Sequence, residues 1–361
     1  MTRSLVTIQK VKEILPIPNA DMIELAKIEG WQCVVKKGEF KVNDLCVFYE
    51  IDSLLPLEEQ YSFLKKSCYK KNSLMEGYRI KTIKLKGTLS QGLALPLSIL
   101  EGRKFPNDER ENPIYDFKEG MVVTEMLGVQ KYEMEIPAQI SGLVKGNFPT
   151  YIVPKTDEMR VQVLQHLLDK YRGTLCFLTE KLDGSSFTCY FDGENFGICS
   201  RNLELKETPD NALWKIARQL EIEEKLRAFG SPLALQGELY GNGIGGNPLK
   251  LKEGQKLAFF NAFDVKGQFY LNFWDFKQLM FALKLETVPI LQTSHIMLEK
   301  VEDYIEMAKG KSVLNSAKNR EGIVIRPLIE ITDDSIPELS DNRGRISFKA
   351  INNDYLLESE E

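Results

Sequence analysis

The sequence predicts an α+β protein of two domains, a small β-barrel followed by a larger domain that mixes antiparallel sheet with helices. Three observations carry this. The chain has 361 residues, beyond the size at which a single hydrophobic core usually stops growing. Residues 4–97 read as short strands separated by turns, with no helical face among them. From residue 157 onward amphipathic faces of period 3.6 interleave with apolar strands, which is the pattern of an α+β domain.

The first strands fall at residues 5–8, 22–28, 32–35, 45–50, 78–85 and 92–96. Pro16, Pro18 and Asn19 precede one of them, and Lys37-Gly38 and Asn43-Asp44 bracket the next region, as turn chemistry requires. Strands of this length and spacing suggest a small closed sheet, and a five-stranded barrel of the oligonucleotide-binding (OB) kind is the first choice. Residues 102–120 and 135–155 are rich in Pro, Gly, Asn and charge and bracket a strand-like run at 121–126. The boundaries drawn from this are a barrel domain over 1–130, a connector over 131–155 and a second domain over 156–361. In the second domain, helices are expected at 157–171, 212–229, 274–285 and 301–309. Strands are expected at 175–179, 186–191, 233–238, 257–265, 322–326 and 345–350.

Composition narrows the chemistry. Forty-seven Lys and Arg against 52 Asp and Glu give a net charge of −5, so any nucleic-acid surface has to be local. One local excess exists. Lys65, Lys66, Lys70, Lys71, Arg79, Lys81, Lys84 and Lys86 face a single acid, Glu76, in the same stretch, a pattern suited to phosphate contacts. Six cysteines without a C-x-x-C spacing read as reduced, buried thiols of a cytosolic protein. The two histidines, His166 and His295, lack neighbours at zinc-ligand spacing, which argues against a zinc site, a Ser-His-Asp hydrolase or a two-histidine phosphodiesterase. No signal-peptide pattern opens the chain and no apolar run spans a membrane, so a cytoplasmic protein without a membrane partner is expected. Trp31 and Tyr78 are the aromatics of the barrel that could stack on bases, with core packing the better reading for Trp31.

The chemistry concentrates in six segments. Thr179-Glu180-Lys181-Leu182-Asp183-Gly184-Ser185 ends an apolar strand with a lysine before an Asp-Gly turn. An amine there projects into a cleft and becomes a nucleophile where its pKa is lowered. Ser200-Arg201-Asn202 supplies a guanidinium suited to phosphate. Gln236-Gly237-Glu238 ends a strand with a carboxylate, and Phe260-Asn261-Ala262-Phe263-Asp264 brings an aromatic able to stack on a base. Glu321-Gly322-Ile323-Val324-Ile325-Arg326 and Ser347-Phe348-Lys349 add a second carboxylate and a second lysine on strands. Each piece alone reads as an amphipathic strand; in this order they are the parts of a nucleotidyl-transfer site.

In these segments the sequence resembles the covalent nucleotidyltransferases, which comprise DNA ligases, RNA ligases and capping enzymes. The resemblance is closer to nick-sealing RNA ligases of the Deinococcus and Naegleria type and covers nearly the whole chain. It extends to Ile28-Glu29-Gly30-Trp31-Gln32, Lys36-Lys37-Gly38-Glu39-Phe40, Leu89-Ser90-Gln91-Gly92-Leu93 and Pro154-Lys155-Thr156-Asp157-Glu158. It implies an OB-fold domain ahead of an adenylyltransferase domain. It also implies an ATP-dependent RNA ligase joining 3'-hydroxyl to 5'-phosphate ends through a lysyl-AMP on Lys181. Lys181, Asp183 and Lys349 are then catalytic. Glu180, Leu182, Arg160, Arg201, Glu238, Phe263, Glu321 and Lys349 bind ATP, with Glu238 on the ribose and Phe263 against adenine. Asp183, Glu238 and Glu321 hold a Mg or Mn ion through water. Arg160, expected on a helix, contacts the triphosphate, and Arg201 grips a phosphate of the polynucleotide end. The partner implied is an RNA or RNA/DNA hybrid duplex with a nick, engaged by a monomer. One position departs from the family pattern: Ser347 stands where many RNA ligases carry a first lysine, with Arg345 two residues earlier. A DNA ligase of the same superfamily, a capping transferase and an inactive RNA-binding protein are the competing readings.

Overall fold

The structure is a computed structural model and describes residues 4–111, 113–133 and 142–359. These residues form two compact units, one within 4–133 and the other within 142–359.

In the first unit, β1 (Val6–Pro16) is long enough to serve two neighbours. Its first half pairs with β4 (Leu45–Tyr49) and its second half with β2 (Ile23–Ile28), with a register shift between Val11 and Glu13 where the strand bends. β3 (Trp31–Lys36) and β10 (Leu93–Pro96) complete a curved sheet of order β10-β4-β1-β2-β3. β5 (Ser53–Leu55), β6 (Tyr69–Lys71), β7 (Glu76–Arg79) and β11 (Gln130–Lys131) make a second sheet, with the one-turn helix α1 (Lys65–Cys68) beside it. β8 (Thr82–Leu85) and β9 (Thr88–Gln91) form a hairpin whose turn residues Lys86 and Gly87 both have positive φ, as a tight two-residue loop demands. β9 closes on β3: Gln32 donates to the Leu89 carbonyl at 3.0 Å, and the Val34 N–H donates to Ser90 at 3.0 Å.

The expected strand at 78–85 is thus two strands, broken at Ile80 and Lys81. The strand expected at 121–126 is a single bridge, Thr7 to Val122, followed by turns. Its apolar residues Val123, Met126 and Leu127 bury themselves at turn spacing rather than by alternation. Trp31 and Tyr78 are both buried, so neither offers a face to a base.

The second unit holds two further sheets. One has the order β12-β17-β16-β15-β18-β19-β20, from β12 (Val144–Asn147), β15 (Ser185–Phe191), β16 (Phe196–Cys199), β17 (Leu203–Leu205), β18 (Leu233–Gly241), β19 (Gln255–Asp264) and β20 (Phe269–Tyr270). The other has the order β13-β23-β22-β14-β21, from β13 (Met159–Arg160), β14 (Leu175–Lys181), β21 (Ile290–Ile296), β22 (Gly322–Pro327) and β23 (Phe348–Ile351). Only β13 and β23 pair in parallel within it. α3 (Ala212–Gln219), α4 (Ile222–Phe229) and α5 (Phe273–Leu283) cover the first sheet around Phe187, Leu235 and Phe259. α2 (Gln165–Lys170) and α6 (Val301–Ala308) cover the second around Leu178, Ile325 and Phe348. α7 (Asn353–Ser359) ends the described chain. Among the described residues no helix is long and apolar enough to cross a membrane.

Several expectations change here. The helix expected at 157–171 is β13, a 3-10 turn at Val161–Val163 and the short α2; Val161, Leu164, Leu167 and Leu168 still reach the core because successive turns face it. The helix expected at 212–229 breaks at Glu221, which has φ 54°. The strand expected at 345–350 is displaced to Phe348–Ile351. The later part of the proposed connector is not a linker: β12 pairs with β17, and Phe148, Ile152 and Val153 pack with Tyr190, Phe263 and Tyr270. Residues 134–141 of that segment lie outside the described residues.

Candidate active site

The two sheets of the second unit are joined covalently where β14 runs through Leu182, Asp183 and Gly184 into β15. Lys181 is the last residue of β14, opposite Gly322 at the start of β22, while Ser186 on β15 lies opposite Glu238 on β18. The chain passes very close at the turn. A Cβ on Gly184 would lie 2.2 Å from the Leu239 carbonyl oxygen, and one on Gly322 would lie 2.2 Å from that of Ala350. Gly184 therefore sets how near the turn after Lys181 stands to the strand carrying Glu238, and Gly322 sets how near β22 stands to the strand carrying Lys349.

A cavity of about 340 Å³ opens at this junction, lined by Lys181, Asp183, Glu238, Glu321, Lys349 and Arg201 among others. The Lys181 amine donates to both carboxylate oxygens of Glu321 at 2.6 Å. Desolvation works to lower the Lys181 pKa, but Glu321, Glu238 and Asp183 outweigh it and leave the group above its ordinary value. The depressed pKa expected of a nucleophilic lysine is thus not what its own protein surroundings give; three carboxylates against one ammonium hold the proton on. The carboxylates respond in turn. Burial, with help from Glu321 and Asp183, pushes Glu238 up to about 7, and burial also raises Glu321. Lys349 goes the other way: burial, then Lys181 and Arg160, push it down to about 7.

The donor set is all oxygen and carries surplus negative charge, which suits a hard divalent cation. Among the described residues no three His, Cys, Asp or Glu side chains stand close enough to wrap a metal directly. An ion held through its water shell by Asp183, Glu238 and Glu321 is the arrangement these residues fit.

Other expected residues are distributed as follows. Glu180 is buried in the cavity wall; one carboxylate oxygen accepts the Val313 N–H at 2.8 Å, and the other, Oε1, makes no hydrogen bond among the described residues. Leu182 forms an apolar wall with Tyr240, Leu249 and Val288. Arg201 is ion-paired with Asp157 at 2.6 Å, and both line the cavity. Arg160 sits on β13 in register with Lys349, on a strand rather than a helix, and does not line the cavity.

Phe263 is a correction. It is 1 % exposed and packs with Phe148, Tyr190 and Tyr270, outside the cavity. The aromatic lining the cavity is Phe260. The pairing of β18 with β19 shifts register between Gln236 and Gly237, which leaves Phe260 as the extra residue. Such a bulge re-aims a side chain. Phe263 lies further along β19, opposite Ala234, where other side chains cover it. Sequence reasoning also passed over Tyr355, Asp157, Glu158 and Arg326 as site residues. Tyr355, on α7, donates a hydrogen bond to Asp183 from 172 residues away, and no local pattern announces that contact.

In the first unit the eight basic residues are split between two places. Lys65, Lys66, Lys70 and Lys71 are exposed on α1 and β6, with Lys71 paired to Glu76 at 3.1 Å. Arg79 is occupied by Asp52 at 2.6 Å and stacks over Tyr132. Lys81, Lys84 and Lys86 lie on or beside the β8–β9 hairpin.

An OB-fold domain ahead of a nucleotidyltransferase-type domain, mixed α+β throughout, defines the class. A family profile described as an OB-fold domain matches residues 5–97, and one described as RNA ligase matches residues 175–351. Among solved structures, a variant of Naegleria gruberi RNA ligase with ATP and Mn is 38% identical, with a TM-score of 0.78 over 98% of each chain. Another variant, with AMP and Mn, is 38% identical over 99% of each chain at the same TM-score. The same enzyme with pyrophosphate is 37% identical over 99% of each chain, again at 0.78. A comparison with curated protein sequences gave no match. The chain belongs to the RNA ligase family, in its Naegleria-type branch.

Proposed function

We propose that this enzyme is an ATP-dependent RNA ligase that seals 3'-hydroxyl/5'-phosphate nicks in duplexes whose 3'-hydroxyl strand is RNA, through an AMP carried on Lys181. The observation that carries the reading is the Lys181 amine at 2.6 Å from Glu321, in a cavity that also holds Lys349, Asp183 and Glu238. The resemblance to a ligase solved with ATP and Mn, with AMP and Mn, and with pyrophosphate supports the nucleotide and the cation.

In the first step the Lys181 nitrogen attacks the α-phosphorus of ATP. An N–P bond forms, the P–O bond to the β-phosphate breaks, and pyrophosphate leaves with the electron pair. The lysine has to lose its proton first, and Glu321 is the carboxylate within reach to take it. A divalent cation at the carboxylates supplies compensation for developing phosphate charge and offsets the charge that keeps the amine protonated. Asp183, Glu238 and Glu321 would hold it through water, and Lys349 adds positive charge on the α-phosphate. Phe260, rather than Phe263, would stack on the base. The free oxygen of Glu180 suits the exocyclic amine of adenine, a donor that guanine lacks at the same ring position. In the second step AMP passes from the lysine to a 5'-phosphate; in the third a 3'-hydroxyl displaces it, forming the phosphodiester and releasing AMP. Arg201 would leave Asp157 to grip the end's phosphate, and the exposed lysines of the OB-fold domain would track the duplex backbone.

The deciding experiment is sealing of matched nicked duplexes whose 3'-hydroxyl nucleotide is ribose or deoxyribose. Sealing that requires the ribose supports an RNA ligase; equal sealing of both favours the DNA ligase reading.

A further inference from the structure

The serine at 347 removes a positive charge from the strand that carries Lys349. Lys349 is itself a weakened cation, because burial and its cationic neighbours draw its pKa down to about 7. A site that neutralises phosphate charge near pH 7 needs a cation that does not titrate there. Two arginines flank Ser347, Arg345 two residues before it and Arg326 opposite it on the paired strand.

Arg345 is the one suggested by chain proximity, and its surroundings exclude it. Its guanidinium donates to Glu330 at 2.6 and 2.8 Å and to Asn261 at 3.1 Å, and it lies 3.7 Å over the Tyr270 ring. It does not line the cavity.

Arg326 is on the neighbouring strand β22 and does line the cavity. Ile325 pairs with Phe348 and Val324 with Lys349, so the residue beside Arg326 on the next rung of β23 is Ser347. Side chains two apart on a strand share a face, which puts Arg326 with Val324 on one strand and Ser347 with Lys349 on the other. The contact follows: the Arg326 Nε donates to the Ser347 hydroxyl at 2.9 Å. A lysine at 347 would crowd its ammonium against this guanidinium; a serine gives it an acceptor. Arg326 also donates to Glu158 at 2.9 Å and to the Phe260 carbonyl at 3.3 Å, and its charge lies 5.5 Å from the Phe260 ring centroid.

We propose that Arg326 is the supporting cation of the nucleotide site, taking over across the strand the place that Ser347 leaves without charge, and that it fixes the Phe260 ring against the bound base. Arg326 is a positioning residue in this account: it acts through Phe260 and through its field. The proposal rests on the adenylyl-transfer reading above. It makes the exchange of charge between positions 326 and 347 a property of the pair of strands rather than of either residue.

The test uses the full chain, α-labelled ATP and Mn, and measures adduct formation in a single turnover across ATP concentrations, with thermal melting of each variant. Arg326→Met should slow adduct formation at saturating ATP by about a hundredfold. Arg326→Met alone strands a buried carboxylate, so Glu158→Gln/Arg326→Met removes both charges together. This pair should melt near the parent and stay slow, because the site still lacks the cation. Arg326→Met/Ser347→Lys should regain most of the rate, and Ser347→Lys alone should slow the reaction. A Glu158→Gln/Arg326→Met protein as fast as the parent would show that Arg326 only balances Glu158 and would overturn the proposal. So would an Arg326→Met/Ser347→Lys protein that folds and is no faster than Arg326→Met. Failure of the parent to form any adduct is a different result and removes the adenylyl-transfer reading itself.

Discussion

Replacing each of two phenylalanines three residues apart on β19 separates a core role from a nucleotide role. Phe263 is 1 % exposed between Phe148, Tyr190 and Tyr270, so Phe263→Ala removes a fully buried ring and should cost about 3–5 kcal/mol of stability. For a unit of this size that lowers the melting temperature by roughly 6–20 °C. The folded fraction should keep its affinity for ATP, because no part of the ring reaches the cavity. Phe260 is half-buried and faces the cavity. Phe260→Ala should leave melting nearly unchanged and forfeit base stacking worth about 1–3 kcal/mol. That raises the half-saturating ATP concentration by roughly 5- to 150-fold. The assay is adduct formation against ATP concentration on material whose folded fraction is set by melting. If Phe260→Ala binds ATP as the parent does, or if Phe263→Ala weakens ATP binding without lowering the melting temperature, the assignment of the stacking ring is wrong.

Four other outcomes follow from the same geometry. Glu238 is pushed up to about 7, so the stability it contributes as a protonated group is complete below its ordinary 4.5 and lost as pH rises through about 7. The gain in melting temperature from Glu238→Gln should therefore grow between pH 5 and pH 8 in protein without nucleotide, and a gain that is flat or shrinks contradicts the shift. Lys349 is pushed down to about 7, so its contribution is present above its ordinary 10.5 and lost as pH falls through about 7. Lys349→Met should accordingly stabilise more at pH 6 than at pH 10, read by the same melts. Tyr355→Phe deletes the hydroxyl that hydrogen-bonds Asp183 and should raise the Mn concentration needed for adduct formation by about tenfold or more; an unchanged Mn requirement would show that the contact does not orient Asp183. Reversing the exposed Lys65, Lys66 and Lys70 to Glu should lower the slope of log affinity for nicked duplex against log salt by roughly two to three, with adduct formation untouched; an unaltered slope would remove these lysines from the duplex surface.

Much of the fold was legible in the sequence because its signals are local. Turn residues bracket the strands of the first unit, the Lys-x-Asp-Gly turn closes β14, and Glu321 stands directly before β22; Glu238, expected at the end of its strand, lies inside β18, which runs on to Gly241. The misreadings share a physical cause, which is that pairing partners decide them. The bulge opposite Gln236 and Gly237 chose Phe260 over Phe263, and neither ring's own neighbours in sequence differ enough to reveal it. The residues at 157–171 carry a helical spacing, yet β13 is drawn out into a parallel pair with β23, which comes from the far end of the chain. Residues 142–155 have the composition of a linker and are held as an edge strand and a core segment. The pKa of Lys181 could not be read from its motif, since the three carboxylates that raise it come from three different segments. The departure at Ser347 was visible as a missing charge; only the pairing of β22 with β23 brings Arg326 beside it.

The central claim is that Lys181 carries the nucleotide. The direct measurement is to incubate the full chain with α-labelled ATP and Mn or Mg, isolate the labelled peptide and identify the modified residue by mass spectrometry. The account predicts one acid-labile AMP on Lys181, absent from Lys181→Ala although that variant still folds. An adduct on another residue, or labelling that survives in Lys181→Ala, would contradict it.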